Sequence, residues 1–497
     1  MLKSKIPEEI FKIITSEFAY RHKIVPIEFH NNTLKIGYAD QCIDQLRNDI
    51  EFLTGKCVVG IQLPEEKIYE TIKAHYGNEP SNMDAFVSEQ EEFQYIEKEF
   101  NDNGKLKKEL NEISVISLVN RMITNAIDRR ASDIHVESYE NTSRVRYRID
   151  GVLQEVMDIP RDKKYAIISR LKIMADLDIA EKRRPQDGRF RVKRGNRVID
   201  IRVSTLPTDF GEKIVLRILD KSQINLHLEQ LGFDSTTLQR FKSIIHSPYG
   251  MILVTRPTGS GKTTTLYAAL DYLSTKEVNI LTIEDPIEYN LSGINQTQVH
   301  SNIGLTFANA LRSFLRQDPD IIMVGEIRDS ETAKIAVRAA LTGHLVFSTL
   351  HTNNAADTLT RLLDMGLEPF LLSSSVKMVI AQRLVRTICP QCKMEDKDAS
   401  DMDSLIEGGR DPLDFVHYKG RGCNQCNGTG YFGRAAIFEV MQISPNIAEA
   451  INKRASANQL RKIAMDEGMH TLQENALIKL KEGITTREEV LRETGNV

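Results

Sequence analysis

The pattern of apolar and polar positions along the 497-residue chain changes several times, and the first change separates an N-terminal segment. Apolar residues recur at helical spacing over residues 10–18, and an alternating piece follows at Thr33 to Tyr38. This combination predicts a small α+β domain over residues 1–77. Residues 78–110 are acidic and polar with little apolar periodicity, which predicts a linker.

A second region of mixed periodicity covers residues 111–231. Helical spacing runs from Ser114 to Arg130, and strand-like alternation follows at 134–149. A turn is predicted at Asp150-Gly151, and a hairpin around Gly195-Asn196 leads into Val198 to Val203. The region therefore predicts a second α+β domain.

Beyond Gly232 the pattern changes to short, continuously apolar strands separated by helices. Such strands are typical of a parallel sheet that is covered on both faces, so residues 232–388 predict an α/β core. Residues 431–497 predict helices, with a capping sequence at 485–489. The predicted strands of the core are Met251 to Thr255, Ile280 to Ile283, Ile321 to Val324 and Leu345 to Ser348.

Composition and charge exclude several classes of protein. The chain is 41% hydrophobic and 27% charged, as in ordinary globular proteins. Its net charge is −4, which offers no overall positive field to attract nucleic acid. No export signal is expected at the N-terminus, and no apolar stretch approaches the roughly 20 residues of a membrane span. We therefore expect at most peripheral contact with a membrane.

The strand that ends at Thr255 runs into a Gly-rich turn, RPTGSGKT, and then into a helix predicted from Thr264 to Leu273. This order is that of a P-loop, in which backbone N–H groups surround phosphates at a helix N-terminus. Lys262 would reach the β- and γ-phosphates, and the Thr263 hydroxyl would bind Mg²⁺. An ordinary Gly-rich turn is the alternative. The predicted nucleotide-binding residues are Thr258, Gly259, Ser260, Gly261, Lys262, Thr263 and Thr264.

The first position of this P-loop departs from the usual GxxxxGK[ST] pattern, because Arg256 replaces glycine. A side chain there strains the loop entry if the position needs a backbone conformation that only glycine adopts. The extended conformation favoured before Pro257 would avoid that strain. Arg256 therefore puts the rate of hydrolysis in question more than nucleotide binding.

Acidic residues follow two of the predicted strands. Glu284 follows the strand at 280–283, and Glu326 follows the strand at 321–324. Ligands of open α/β sheets bind outside the carboxyl ends of the strands, so both carboxylates should lie beside the P-loop. We predict that Glu326 associates with the metal and that Glu284 positions the attacking water. His344 and His351 bracket the next strand as candidate sensors of the γ-phosphate or of a neighbouring subunit, with structural roles nearly as plausible.

Four of the six cysteines form two CxxC pairs over residues 389–430: Cys389, Cys392, Cys423 and Cys426. Four thiolates without an open coordination position are typical of a structural zinc site. A dithiol redox pair is the alternative. Two CxxC pairs in so long a chain also indicate a reducing compartment.

The motifs together resemble the secretion traffic ATPases, namely the GspE/PulE ATPases of type II secretion and the PilB ATPases of type IV pilus assembly. Besides the P-loop, the matching segments are SDIHVE (Ser132 to Glu137), PQDGR (Pro185 to Arg189), IDIRVSTLPT (Ile199 to Thr208), TIEDPIEY (Thr282 to Tyr289), Asp318 to Asp329 and TGHLVFSTLHTNNA (Thr342 to Ala355). They occur in the family's order and cover most of the chain from about residue 110.

The resemblance implies an α/β fold: a RecA-like P-loop ATPase domain, a preceding PAS-like α+β domain, a small N-terminal α+β domain and a zinc-binding tetracysteine insertion. It also implies a homo-hexamer with ATP at subunit boundaries, and arginines of the PAS-like domain that face the nucleotide. Arg189 and Arg202 lie in the matching motifs. The tetracysteine element occurs in export and assembly ATPases of this family and not in the pilus retraction enzymes. Residues 1–77 resemble, more weakly, a domain that docks on a membrane platform.

The sequence therefore predicts a hexameric type II secretion ATPase that uses MgATP and Zn²⁺ and is cytoplasmic, at the periphery of the inner membrane. It would drive pseudopilus assembly and protein export through an inner-membrane platform. Type IV pilus assembly and a nucleotide-binding scaffold without hydrolysis are the alternatives. A nucleic-acid motor is disfavoured by the net charge and by the lack of a basic-aromatic run, and no nucleic-acid partner is expected.

Overall fold

The computed structural model describes residues 19, 23–30, 33–39, 47, 50, 57–76, 94–96, 111–160, 163–220, 227–255, 262–396 and 415–495. These residues belong to two compact units, Met1–Glu92 and Phe93–Val497. Among the helices of the described ranges, none combines the length and the hydropathy that crossing a bilayer requires.

The first unit contains a three-stranded sheet and a helix. Strands β1 (Ile24–His30) and β2 (Thr33–Tyr38) are antiparallel, and β3 (Cys57–Gln62) lies parallel to β2. Helix α1 (Glu65–Tyr76) packs on the strands. The alternation predicted at Thr33 to Tyr38 is confirmed as β2, whereas the helical spacing over 10–18 lies outside the described residues.

The second unit begins with a seven-stranded antiparallel sheet in the order β4-β8-β9-β10-β5-β6-β7. Apolar residues of the strands and of helices α2 (Asn111–Asp128) and α3 (Lys164–Met174) form its core. The predicted turns at 150–151 and 195–196 are confirmed as the β6–β7 and β8–β9 connections. The strands are β4 (Gln94–Ile96), β5 (Asp133–Ser138), β6 (Ser143–Ile149), β7 (Val152–Ile159), β8 (Gln186–Arg194), β9 (Arg197–Thr208) and β10 (Gly211–Asp220).

Strand β4 lies inside the segment that the sequence predicts as an acidic linker. Its three residues pair with Arg191 to Lys193 of β8 at the edge of the sheet. An edge strand is held by backbone hydrogen bonds and does not need an apolar face of its own. The polar composition of residues 78–110 therefore gave no signal for it.

Charged residues of β5, β6 and β10 share the face of this sheet opposite the core, and Glu137 of β5 lies among them. Only 4% of the Glu137 side chain is exposed, yet Arg146 and Lys213 approach its carboxylate at 2.7 and 3.0 Å. Burial by itself raises the pKa of Glu137, but the hydrogen bonds from these two cations outweigh it and lower the pKa to about 2. The carboxylate is therefore ionised in the folded protein well below its usual range.

Replacing Glu137 with glutamine should destabilise the protein by about 3 kcal/mol at neutral pH, because each pKa unit is worth about 1.4 kcal/mol. The pKa is lower in the folded state than in the unfolded state, so this stability is present above pH 4.5 and is lost as the pH falls towards 2. Thermal melting of wild type and Glu137→Gln at pH 6, 4 and 2.5 should therefore give converging midpoints. Glu449→Gln, which removes an exposed ion pair with Lys453, should melt as wild type throughout. A difference in melting temperature between wild type and Glu137→Gln that does not change with pH would contradict the lowered pKa of Glu137.

The larger part of the second unit is built on a seven-stranded sheet in the order β13-β12-β14-β15-β11-β16-β19, parallel except for the β16–β19 pair. The predicted parallel sheet and its four apolar strands are confirmed. The strands are β11 (Gly250–Thr255), β12 (Ile280–Glu284), β13 (Asn295–Gln298), β14 (Ile321–Val324), β15 (Leu345–Leu350), β16 (Val376–Ile388) and β19 (Tyr431–Gln442). A separate two-stranded antiparallel sheet contains β17 (Lys393–Glu395) and β18 (Tyr418–Gly420).

Successive residues of these strands face two different hydrophobic cores. Leu253, Ile283 and Val324 pack in one core, while Ile252 and Val254 pack in the other. Both faces are thus buried, which explains the uninterrupted apolar sequence of each strand. The helices are α4 (Ser235–Ile245), α5 (Lys262–Leu273), α6 (Phe307–Phe314), α7 (Ser330–Leu341), α8 (Ala355–Asp364), α9 (Pro369–Ser375), α10 (Pro445–Asn452), α11 (Ala457–Asp466), α12 (Leu472–Lys481) and α13 (Arg487–Thr494).

The first residues of the predicted C-terminal helical region, 431–442, form strand β19 instead of a helix, because they pair with β16 at the edge of the large sheet. The helices that follow begin at side-chain caps. Ser456 and Thr471 form capping boxes with Gln459 and Glu474. The Thr486 hydroxyl accepts the N–H of Glu489 at the start of α13, so the predicted capping sequence is confirmed.

Candidate functional site

Four parallel strands of the large sheet, β11, β12, β14 and β15, end at one edge and place their following residues together. Residues 256–261, and with them Arg256 and the predicted phosphate-binding residues Thr258, Gly259, Ser260 and Gly261, lie outside the described residues, as does the side chain of Lys262. Helix α5 begins at Lys262, in the position that a P-loop requires. Thr263 and Thr264 lie in its first turn and are partly buried.

A cleft of about 230 Å³ opens at this edge of the sheet. Thr263, Glu284, Glu326 and His351 line it together. Four of the residues singled out in the sequence, from four different segments, thus meet in one place. Thr263 and Glu326 present oxygen donors to the same space, and such donors suit Mg²⁺.

The Glu326 carboxylate is held between two basic side chains. The Arg328 guanidinium donates to Oε1, and His351 Nε2 lies 3.1 Å from Oε2. Burial raises the pKa of Glu326, but the hydrogen bonds from Arg328 and His351 prevail and leave the pKa below its usual value. Arg328 Nη1 also lies 3.4 Å from Asp285 Oδ2. The carboxylate is therefore charged, and the Arg328 guanidinium beside it compensates part of that charge, as a divalent metal would.

Backbone contacts between neighbouring strand ends fix the position of Glu326. Gly325 N–H donates to the Ile283 carbonyl at 2.8 Å, and the Thr349 hydroxyl donates to the Gly325 carbonyl at 2.7 Å. A Cβ at Gly325 would meet the Ile283 carbonyl oxygen at 3.2 Å, so glycine permits this close approach. Glu326 is therefore carried on a rigid strand end rather than on a free loop.

Glu284, the last residue of β12, is 4% exposed and has hydrogen bonds on both carboxylate oxygens. Oε1 accepts the Thr282 hydroxyl at 2.6 Å and Gln296 Nε2 at 3.0 Å. Oε2 accepts the hydroxyl of Tyr267, a residue of α5. The side chain is therefore fixed relative to the helix that follows the P-loop.

The two candidate sensor histidines lie at opposite ends of β15. His351 follows its carboxyl end and contacts Glu326. His344 precedes its amino end, where Nδ1 lies 3.0 Å from the Ala339 carbonyl oxygen at the end of α7. Of the two, His351 therefore lies at the cleft, and His344 contacts the helix terminus.

The two predicted arginines lie opposite each other on β8 and β9, where Arg189 pairs with Arg202, and Arg202 in turn pairs with Arg217 of β10. All three line a second cavity together with Pro286 and Ile287 of the loop that follows β12. Arg202 donates to the Ile287 carbonyl at 3.1 Å and forms an ion pair with Glu288, also at 3.1 Å. Glu288, which pairs with Arg202, and Pro286 also line the first cleft. The three arginines therefore border that cleft.

The four cysteine sulfurs lie within 4.8 Å of one another. Three of the Sγ–Sγ distances are 3.7 to 3.8 Å. A tetrahedron with Zn–S bonds of about 2.3 Å has edges of about 3.8 Å, so the spacing fits zinc. Burial raises the pKa of Cys426, but N–H groups of Cys423 and Gly430 outweigh it and lower the pKa to about 6. One ligand is thus prepared as a thiolate.

The sequence analysis missed the residues that hold the carboxylates. Arg328 and Asp285 lie inside motifs that were recognised, but no role was assigned to them. Tyr267 was part of a predicted helix, and its position four residues after Thr263 places both on one face of that helix. That spacing was the available signal for Tyr267, whereas nothing in the sequence indicates the contact of Gln296 with Glu284.

Known protein families and relatives match nearly the whole chain. Residues 108–492 match the family described as Type II/IV secretion system protein, and residues 2–82 match the MshEN domain. The type IV pilus assembly ATPase PilB of Myxococcus xanthus is 48% identical over 98% of this chain and 87% of its own. The type II secretion system ATPase E of Vibrio cholerae is 45% identical over 86% of this chain and 85% of its own.

A solved structure supports the fold. The pilus retraction motor PilT with bound ADP matches 76% of this chain and 96% of its own, with a TM-score of 0.51 and 28% identity. With the family match and the tetracysteine cluster, this likeness confirms the predicted fold class.

Proposed function

The chain belongs to the Type II/IV secretion system protein family, and we propose that it is a hexameric ATPase that drives pseudopilus assembly and protein export in a type II secretion system. The resemblance stated from the motifs and the predicted ATPase activity are confirmed by that membership. The observation that carries the proposal is the meeting of Thr263, Glu284, Glu326 and His351 in one cleft at the end of the P-loop strand.

The proposed site residues divide the reaction between them. The P-loop amides and Lys262 bind the phosphates, and Thr263 and Glu326 hold Mg²⁺, which neutralises charge on the phosphate oxygens when bound. Glu284 orients the attacking water, and His351 reports the state of the γ-phosphate through its contact with Glu326. Arg189 and Arg202 add positive charge from the preceding sheet, and Arg202 already reaches the loop after Glu284 through Ile287.

The assembly and location belong to the same proposal. The bound nucleotide lies at subunit boundaries of a homo-hexamer, the cysteine cluster holds structural Zn²⁺, and residues 1–77 dock on an inner-membrane platform from the cytoplasmic side. The structural neighbour PilT, a pilus retraction motor, supports a motor role for the α/β core.

Type IV pilus assembly is the second candidate, because the pilus assembly ATPase of Myxococcus xanthus matches 98% of this chain, including the N-terminal unit. Complementation separates the two candidates. Expression of this chain in one strain that lacks its type II secretion ATPase and in another that lacks its pilus assembly ATPase should restore secretion in the first. Restored pili with no restored secretion would assign the chain to pilus assembly.

MgATP turnover of the purified, zinc-loaded protein tests the activity itself. We expect turnover per chain to rise with protein concentration, since the active site is completed by a neighbouring subunit, and to disappear in Lys262→Ala. Arg256→Gly restores the usual P-loop sequence and tests the scaffold alternative. Nucleotide binding without turnover in the wild type, with turnover gained in Arg256→Gly, would identify the natural protein as a scaffold.

A further inference from the structure

Tyr267, a buried residue of the cleft, contacts the partly buried Tyr289, but only Tyr267 bonds to a carboxylate. The rings of Tyr267 and Tyr289 meet edge to face with their centroids 4.5 Å apart. The Tyr267 hydroxyl donates to Glu284 Oε2. The Tyr289 hydroxyl oxygen is buried and has no hydrogen-bond partner among the described residues. The difference between these neighbours gives Tyr267 a specific role at Glu284 beyond filling the core.

The orientation of Gln296 at the same carboxylate is fixed by its own partners. Its Oε1 accepts the Leu291 N–H at 2.7 Å, so its Nε2 is the end that faces Glu284 and the Tyr289 carbonyl. The side chain therefore cannot turn to present an acceptor without losing these bonds. Gln296 is a fixed donor towards Glu284.

Counting acceptor sites shows what the network leaves available on Glu284. An ionised carboxylate accepts about four hydrogen bonds, two on each oxygen. Thr282 and Gln296 fill both sites of Oε1, and Tyr267 fills one site of Oε2. A single acceptor site remains, and it is on Oε2. This oxygen accepts the hydroxyl of Tyr267, which belongs to α5, the helix that also carries Thr263.

We propose that Tyr267 and Gln296 are positioning residues, which hold Glu284 so that one acceptor site, on Oε2, faces the cleft for the attacking water. This inference rests on the proposed function, in which Glu284 orients that water. Tyr267 links the carboxylate to the helix that follows the P-loop, so it fixes the distance between the water and the bound phosphates. Neither residue touches the nucleotide in this proposal, so each acts on the rate of the chemical step and not on binding.

The proposal predicts a selective loss of turnover in Tyr267→Phe. Without the hydroxyl, Oε2 has two open sites and the carboxylate gains freedom to rotate, and a misplacement of about 1 Å costs about 100-fold in rate. We expect kcat to fall about 10- to 100-fold, with KM for MgATP and the affinity for MgADP within twofold of wild type. Gln296→Met, of similar size but without the donor, should show the same pattern.

Tyr289→Phe is the matched control, because it removes a hydroxyl from the same pair of rings without removing a hydrogen bond. We expect it to turn over within twofold of wild type. All variants are compared below their melting temperatures, so that lost packing would not be mistaken for lost positioning. A normal kcat in Tyr267→Phe and Gln296→Met would overturn the inference.

Turnover of wild type and of Glu284→Gln shows whether a normal kcat in Tyr267→Phe contradicts only the positioning role or the proposed function as well. Turnover in the wild type that is lost in Glu284→Gln, beside normal turnover in Tyr267→Phe, overturns only the positioning role. Absence of turnover in the wild type overturns the proposed function and this inference together. A fall in MgADP affinity equal to the fall in kcat would identify Tyr267 as a structural residue of the nucleotide site.

Discussion

Replacing Glu326 with glutamine should reduce turnover of MgATP at least about 100-fold. Glutamine preserves the shape of the side chain but removes the negative charge that would hold the metal and that now pairs with the Arg328 guanidinium. Loss of one preorganised electrostatic contact in an active site typically costs 10² to 10³ in kcat. A titration of turnover with Mg²⁺ at saturating ATP should also show a higher Mg²⁺ requirement in the variant.

The contacts of Glu326 also predict how turnover responds to pH. The pKa of Glu326 in the folded protein lies below the usual value for glutamate. The carboxylate therefore stays ionised as the pH falls towards that usual value, and protonation of Glu326 should not reduce wild-type turnover in that range. Glu331→Gln is the control, since it removes a neighbouring exposed carboxylate that pairs with Arg312 outside the cleft. Equal turnover in Glu326→Gln and Glu331→Gln would remove Glu326 from the metal site.

The strands of the large sheet were predictable because burial on both faces leaves an unmistakable pattern. Residues 321–324 are apolar at every position, and the predicted strand has the same bounds as β14. Since parallel strands place their carboxyl ends at one edge, the meeting of Glu284 with Glu326 followed from the same pattern. Local sequence was sufficient to predict this meeting because every parallel strand of the sheet ends at the same edge.

Contacts between distant elements were not predictable in this way. Arg202 was identified by resemblance, but its bonds to Ile287 and Glu288 depend on how one sheet docks on the loops of another. The Tyr267 hydroxyl was indistinguishable from a core residue in the sequence, because its partner Glu284 is brought to it by the sheet. The roles of such side chains depend on residues that are distant in sequence and close in the fold. The periodicity of the sequence indicates only whether a position is buried.

Removal of zinc, or substitution of one of its ligands, should strongly destabilise the region around the cysteine cluster. Binding of structural zinc contributes about 10–16 kcal/mol in small zinc domains, where it is coupled to folding. Among the described residues of this region, the core consists of the cysteines themselves with Phe432 against them, so those residues offer little other apolar packing to replace the metal. We expect Cys426→Ser to lose its zinc and to melt at a lower temperature than wild type.

The effect should extend beyond the cluster, because the residues that follow it contact the antiparallel sheet. The Arg130 guanidinium lies 3.8 Å from the centre of the Phe432 ring, and the Gly433 N–H donates to Asp150 at 2.8 Å. A cluster without zinc would release the start of β19 and weaken both contacts. Hydrogen exchange should therefore increase at the β6–β7 turn around Asp150 as well as near the cysteines.

Zinc content and melting temperature of wild type, Cys426→Ser and Cys57→Ser check this expectation. Cys57 is an exposed, free cysteine of the first unit, so its substitution should leave about one zinc per chain and an unchanged melting temperature. Chelation of wild type should reproduce the behaviour of Cys426→Ser, and added Zn²⁺ should reverse it. A wild-type protein that contains no zinc and instead forms a disulfide between cysteines of the cluster would favour the redox alternative, because thiolates bound to a metal are not free to oxidise.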